Sequence, residues 1–185
     1  MRGLAPLTLA LVLGLAAAPA AAPNAALIED FTMQPETRWR FFSDAVMGGV
    51  SSGRVVFAED GGRSYARMTG TVSTANQGGF IQMRLDLGSP PPAEARGVRI
   101  VVRGNNQRYF VHLRTAGTML PWQYYQAGFD VSRTWTEIRL PLDSFAPSGG
   151  LLRATPRPQS VRSIAVVAYG RDHEAEIEVR EVAFY

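Results

Sequence analysis

Cysteine is absent from this 185-residue chain, so it has no disulfide, thiol nucleophile, cysteine metal ligand or lipid-attachment cysteine. Lysine is absent too: the 19 basic residues are all arginine, scattered singly among 16 acidic residues, and the formal net charge is only +3. No basic run exists, which argues against a nucleic-acid partner. Histidine is scarce. His112 and His173 lie far apart, and neither has another histidine at i+2 or i+4, so neither a metal site nor a cofactor is expected. Long apolar runs are limited to one, Leu4 to Ala17, which is shorter than the ~20 residues that span a bilayer.

That run has a short positive start, Met1-Arg2-Gly3, and ends in Ala18-Pro19-Ala20, small residues at the two positions a signal peptidase reads. Residues 1–20 are therefore expected to be a cleaved secretory signal and 21–26 a short N-terminal segment, with 27–185 forming one domain. The product is expected in the periplasm or outside the cell, and not integral to the membrane after cleavage. With 46% hydrophobic and 19% charged residues, the remainder has enough apolar material to form a core without disulfides.

Nearly every apolar segment alternates with period two. In Gly97-Val-Arg-Ile-Val-Val-Arg-Gly104, Val98, Ile100 and Val102 share a face, and in Arg108 to Thr115 the same holds for Tyr109, Val111 and Leu113. Gly104-Asn105-Asn106 between them predicts a hairpin, because Asn and Gly tolerate positive φ. Further strands are predicted over 38–42, 54–58, 64–72, 80–87, 123–129, 134–140, 161–169 and 175–185, with no long helix. In the last, apolar parity slips between Ile177/Val179 and Val182/Phe184, which predicts a β-bulge near Arg180-Glu181. About ten strands separated by Gly, Pro and Asn turns imply an all-β, two-sheet antiparallel sandwich of the jelly-roll kind.

Gly49-Val-Ser-Ser-Gly53 fits the G-x-S-x-G pattern of a hydrolase nucleophile elbow. The elbow needs a helix directly after the serine, whereas here Arg54-Val-Val-Phe57 reads as a strand, so no catalytic residue is assigned. His112 reads as a packed sheet residue, and the acidic pairs Glu29-Asp30 and Glu59-Asp60 as solvated surface. The glycines suggest geometry instead: Gly48-Gly49 and Gly78-Gly79 each precede an alternating run, as two turns of similar build allowing positive φ or close approach. Positive φ is expected at Gly49, which would make Gly49→Val strained. A calcium ion bracing the turn at Asp44 is the alternative, but one carboxylate is a poor site and no metal is expected.

Ser43-Asp-Ala-Val-Met-Gly-Gly-Val-Ser-Ser-Gly53 followed by Asn76-Gln-Gly-Gly-Phe80 resembles the paired signature of the complex I intermediate-associated protein 30 family. The likeness continues through Tyr109 to Thr115, Trp122 to Gln126, Trp135, Leu140-Pro-Leu142, Phe145 and Ile177 to Phe184. It implies a galactose-binding-like β-sandwich that binds without catalysing, in a family whose mitochondrial members act as assembly factors for respiratory complex I. Position by position, Asp44, Met47, Gly48, Gly49 and Ser51 match the first motif, and Asn76, Gly78, Gly79, Phe80 and Arg84 the second; their implied role is structural. The sequence departs after Phe80, where Ile81-Gln82 stands in place of small Ala-Ser.

Two functions compete. One is a chaperone or assembly module for a protein partner, such as a respiratory or other envelope complex, which predicts an uncovered apolar patch. The alternative is an exported carbohydrate- or small-ligand-binding module, with Trp122, Tyr124, Tyr125, Arg108 and Arg114 as candidate contacts and Asn76 as a further polar group. Alternation puts Trp122 and Tyr124 on one face and Tyr125 on the other; Trp122 is expected in the core.

Overall fold

A computed structural model describes residues 26–185; the expected signal segment lies outside them. Twelve strands run in the order β1 (Ala26–Glu29), β2 (Trp39–Ser43), β3 (Ser52–Asp60), β4 (Arg63–Val72), β5 (Phe80–Asp86), β6 (Gly97–Gly104), β7 (Arg108–Thr115), β8 (Tyr125–Asp130), β9 (Thr136–Pro141), β10 (Ala146–Pro147), β11 (Val161–Tyr169) and β12 (His173–Phe184). Among the described residues helix is confined to one turn, α1 (Pro35–Arg38), and short 3₁₀ turns. Among the described residues no helix is long and apolar enough to cross a membrane.

The strands form two six-stranded antiparallel sheets. The back sheet has the order β3-β4-β12-β6-β9, with β1 also on β12; the front sheet has the order β10-β8-β7-β11-β5-β2. The alternating residues face each other between the sheets. Met68, Ile100, Ile177 and Phe184 of the back sheet and Ile81, Met83, Val111, Leu113 and Ile164 of the front sheet are fully buried. Each such side chain contributes about 1.5–3 kcal/mol by leaving water, which is how the fold holds without a disulfide. Tyr109 of β7 crosses between the layers: its hydroxyl donates to Asn105 Oδ1 and accepts from the Glu176 N–H of β12, both at 2.8 Å. Burial pushes this phenol up to about 12.

The bulge falls where parity slips. Val102 pairs with Val179 but Val101 with Glu181, leaving Arg180 as the extra residue. The hairpin at 104–106 does not form: β6 pairs with β12 and β9, and β7 with β11 and β8, so this turn is an arch between sheets. Its local conformation matches the expectation, with Asn106 at φ 60°. Turn residues permit a reversal, however, without choosing the pairing. The apolar faces of β6 and β7 gain more by packing against each other across the core.

Glu29 also departs from expectation. Instead of solvated surface it is buried, accepting the Trp39 Nε1–H at 2.8 Å and the Phe31 N–H at 2.7 Å and pairing with Arg38 at 2.7 Å. These bonds hold Phe31, a non-glycine residue at φ 62°, where the chain leaves β1.

Candidate functional site

Both glycine motifs lie in crossovers from sheet to sheet, 44–51 linking β2 to β3 and 73–79 linking β4 to β5. Each is a short 3₁₀ turn followed by Gly-Gly and a strand. A single carboxylate ties them together. Asp44 has no solvent exposure; its Oδ1 accepts the Ser51 N–H at 2.9 Å, and its Oδ2 accepts Ser51 Oγ–H at 2.5 Å, Gly79 N–H at 2.5 Å and Phe80 N–H at 3.3 Å. Burial pushes this carboxyl up, but the hydrogen bonds from Ser51, Gly79 and Phe80 outweigh it and hold the group below its ordinary value. The ring of partners consists of donors, the opposite of the oxygen cage a calcium ion requires.

Ser51 is part of the same clamp. It is 3% exposed, its hydroxyl donates to Asp44 and accepts the Ser73 N–H at 2.9 Å, and β3 rather than a helix follows it. The glycines divide the remaining work. Positive φ belongs to Gly48 (88°) and Gly79 (130°), not to Gly49 as expected. Gly49 and Gly78 are needed for space: a Cβ on Gly49 would lie 2.7 Å from Asp44 Cβ, and one on Gly78 2.8 Å from Asp44 Cγ. Where Ile81 replaces a small residue, room comes from the facing Gly53 and Gly70, at which a Cβ would lie only 3.2 and 3.0 Å from Ile81 Cδ1.

The clamp supports one side of a cleft of about 800 Å³ on the outer face of the front sheet. Strand parity builds its floor. Residues of β5 and β7 not used by the core, Phe80, Gln82, Arg84, His112 and Arg114, point outward, with Ser163, Ala165 and Tyr169 of β11 between them. Phe42, Val46, Met47, Gln77 and Gly78 line the clamp side, and Pro121, Trp122, Tyr124 and Ser148 the other.

The aromatic groups are locked together. His112 and Tyr124 stack with ring centroids 4.1 Å apart and planes 7° apart, while Tyr169 meets the His112 ring edge-on at 5.9 Å. The Tyr124 and Tyr169 hydroxyls lie 3.4 Å apart, and burial, together with Tyr169, pushes the Tyr124 phenol up. Burial lowers His112 to about 4 despite its 2.8 Å hydrogen bond to Gln126 Oε1, so the ring is neutral at pH 7. Arg114 donates to the carbonyls of Thr118, Leu120 and Pro121, holding the β7–β8 loop that carries Trp122. Arg84 lies over the Phe42 ring at 4.5 Å.

Of the candidate contacts, Trp122, Tyr124 and Arg114 line this cleft. Trp122 is 65% exposed instead of in the core, because it belongs to a loop that projects beyond the start of β8. Tyr125, three residues on and the first of β8, is 3% exposed and packs in the core, so it is not available as a contact. Arg108 lies outside the cleft lining, pairing with Asp130 at 3.2 Å, and Asn76 occupies its turn at φ 55°. Met47, Gly78, Phe80 and Arg84, given a structural role from sequence, also line the cleft. Sequence reasoning passed over Phe42, Gln82, His112 and Tyr169; the outward parity of β5, β7 and β11 carries the signal that finds the last three.

No curated protein matches this chain. Among solved structures, the family 11 carbohydrate-binding module of the cellulosomal cellulase Lic26A-Cel5E of Clostridium thermocellum superposes with a TM-score of 0.71 at 13% identity, covering 89% of this chain and 95% of that one. A family 11 module from Clostridium thermocellum in complex with a β-1,3-1,4-mixed-linked tetrasaccharide gives a TM-score of 0.69 at 12% identity, covering 86% and 94%. A family 30 carbohydrate-binding module gives 0.54 at 11% identity, covering 74% and 91%. At these identities the likeness is one of fold. In sequence, the pattern of complex I intermediate-associated protein 30 matches residues 30–179, which span both clamp motifs and the whole cleft floor. By that match, the chain belongs to the complex I intermediate-associated protein 30 family.

Proposed function

We propose that this protein is a non-catalytic binding domain that holds a saccharide chain in the front-sheet cleft. The observation that carries this reading is the preformed His112–Tyr124–Tyr169 aromatic cluster on a sheet face that also presents Gln82, Arg84 and Arg114. Sugar rings present apolar C–H faces, which stack on aromatic rings, and a rim of hydroxyls, which need donors and acceptors at fixed positions. The fold shared with carbohydrate-binding modules supports the same reading. Glycosidic hydrolysis ordinarily uses two carboxylates, and the residues lining this cleft include neither Asp nor Glu. Residues 1–20 have the composition of an export signal, so the proposed setting is outside the cytoplasm, where glycans are met.

A second reading, docking of a protein partner, draws on the family name and on exposed apolar side chains in the two segments that flank the cleft: Val46, Met47 and Val50 in one, Met119, Leu120 and Trp122 in the other. Titration of the intact protein with a panel of oligosaccharides, followed by intrinsic tryptophan fluorescence, to which Trp122 contributes beside Trp39 and Trp135, separates the two. A saturable response that Tyr124→Ala weakens supports the saccharide; no response across the panel, with co-purification of a defined protein complex, favours the partner.

A further inference from the structure

We propose that the saccharide held in the cleft is acidic, its carboxylate or sulfate groups being bound between Arg84 and Arg114. The inference rests on the saccharide reading and deepens it. Among the described residues, Arg84 and Arg114 are the charged side chains lining the cleft, and no acidic residue lines it with them. Register fixes their relation: Arg84 stands beside Ala165 and Arg114 beside Ser163, so β11 separates them with two small residues. Two strand spacings and a two-residue stagger put their backbones about 12 Å apart, with His112 across Ala165 from Arg84 and Asp86 across Ser163 from Arg114 beyond the cleft lining, so the trough runs diagonally between the two guanidiniums.

Neither charge is well matched within the protein. The bonds of Arg114 go to neutral loop carbonyls. Arg84 Nε is buried without a hydrogen-bond partner; its nearest acid, Asp86 at 3.4 Å, is shared with Arg40, which hydrogen-bonds it. Burial lowers the Arg84 guanidinium, Asp86 offsets part of this, and Arg40 and Arg114 add repulsion. An anion in the trough removes that repulsion and gives Arg84 a charge-assisted partner, whereas a neutral sugar hydroxyl relieves less of it.

The test compares three saccharides of equal length, a neutral β-glucan, an oligogalacturonate and a sulfated galactan without carboxylates, titrated by calorimetry into the intact protein at low and high salt. Expected is at least about tenfold tighter binding of one or both acidic chains than of the neutral one, weakening with salt and lost in Arg84→Gln. Arg84→Lys should recover part of it, and a circular-dichroism melt confirms that each variant is folded. The order of the two acidic arms distinguishes carboxylate from sulfate. Equal or tighter binding of the neutral chain overturns the acidic assignment and leaves the saccharide reading standing. An unchanged preference in Arg84→Gln overturns the arginine assignment. Binding of none of the three overturns the saccharide reading itself.

Discussion

Replacing Asp44 by alanine removes one buried acceptor that serves four donors in two separate crossovers. The Ser51 and Gly79 N–H groups then stay buried without their acceptor, each at about 1–3 kcal/mol, and the Ser51 hydroxyl keeps only its longer bond to the Ser73 carbonyl at 3.2 Å, with a water entering the vacated space offsetting part. The expected loss is about 3–5 kcal/mol, or a melting temperature lower by roughly 6–20 °C for a domain of this size. Asp44→Asn keeps the shape but loses the charge and sets an NH₂ against one of the donors, so it should cost about 2–4 kcal/mol. The pH dependence gives a sharper check. Because the folded-state carboxyl titrates below its ordinary value of 3.8, its contribution is full above that value and is lost as pH falls through the folded-state pKa. Urea denaturation from pH 7 downward should therefore show the difference between wild type and Asp44→Asn constant down to about pH 4 and shrinking below it. A loss under ~1 kcal/mol at pH 7, or a difference that grows on acidification, refutes the clamp.

Gly49→Ala and Gly78→Ala each drive a Cβ into the Asp44 carboxyl and should cost about 1–3 kcal/mol by thermal melt, whereas Gly88→Ala, with open space around it, should cost under ~0.5. Ser51→Ala should lower stability by about 1–3 kcal/mol in urea while leaving saccharide affinity intact; abolished binding in a folded variant would return the hydroxyl to the functional site. Tyr125→Ala should cost about 3–5 kcal/mol as a core truncation, but Trp122→Ala under ~1, its effect appearing in ligand titrations. NMR titration of His112 should give a midpoint near 4; since the unfolded ring binds its proton first, near 6.5, His112 lowers stability as pH falls from about 6.5 to 4, and His112→Gln removes that slope.

Strand positions and the Arg180 bulge were legible because period-two alternation records which side chains leave water. Pairing was not legible: Gly104-Asn105-Asn106 has the residues of a reversal, and whether it joins neighbours in one sheet or arches to the other depends on distant strands. The two Gly-Gly turns were visible as similar in build, but Asp44 as their common acceptor was not, since Gly79 lies 35 residues away in sequence. Glu29 was misread for the same reason, its partners Arg38 and Trp39 being set by the α1 turn and not by composition. In the cleft, alternation correctly divides Tyr124 from Tyr125. It says nothing of Trp122, because a loop has no period to follow.

The central claim is that the outward face of β5, β7 and β11 is the binding surface, and mapping amide chemical shifts during titration with the tightest saccharide of the panel tests it most directly. The account predicts that the perturbed residues cluster around Gln82, Arg84, His112, Arg114, Tyr124 and Tyr169, with the Asp44 clamp nearly unmoved. A footprint on the outer face of the back sheet, around Trp135 and Arg103, would contradict it.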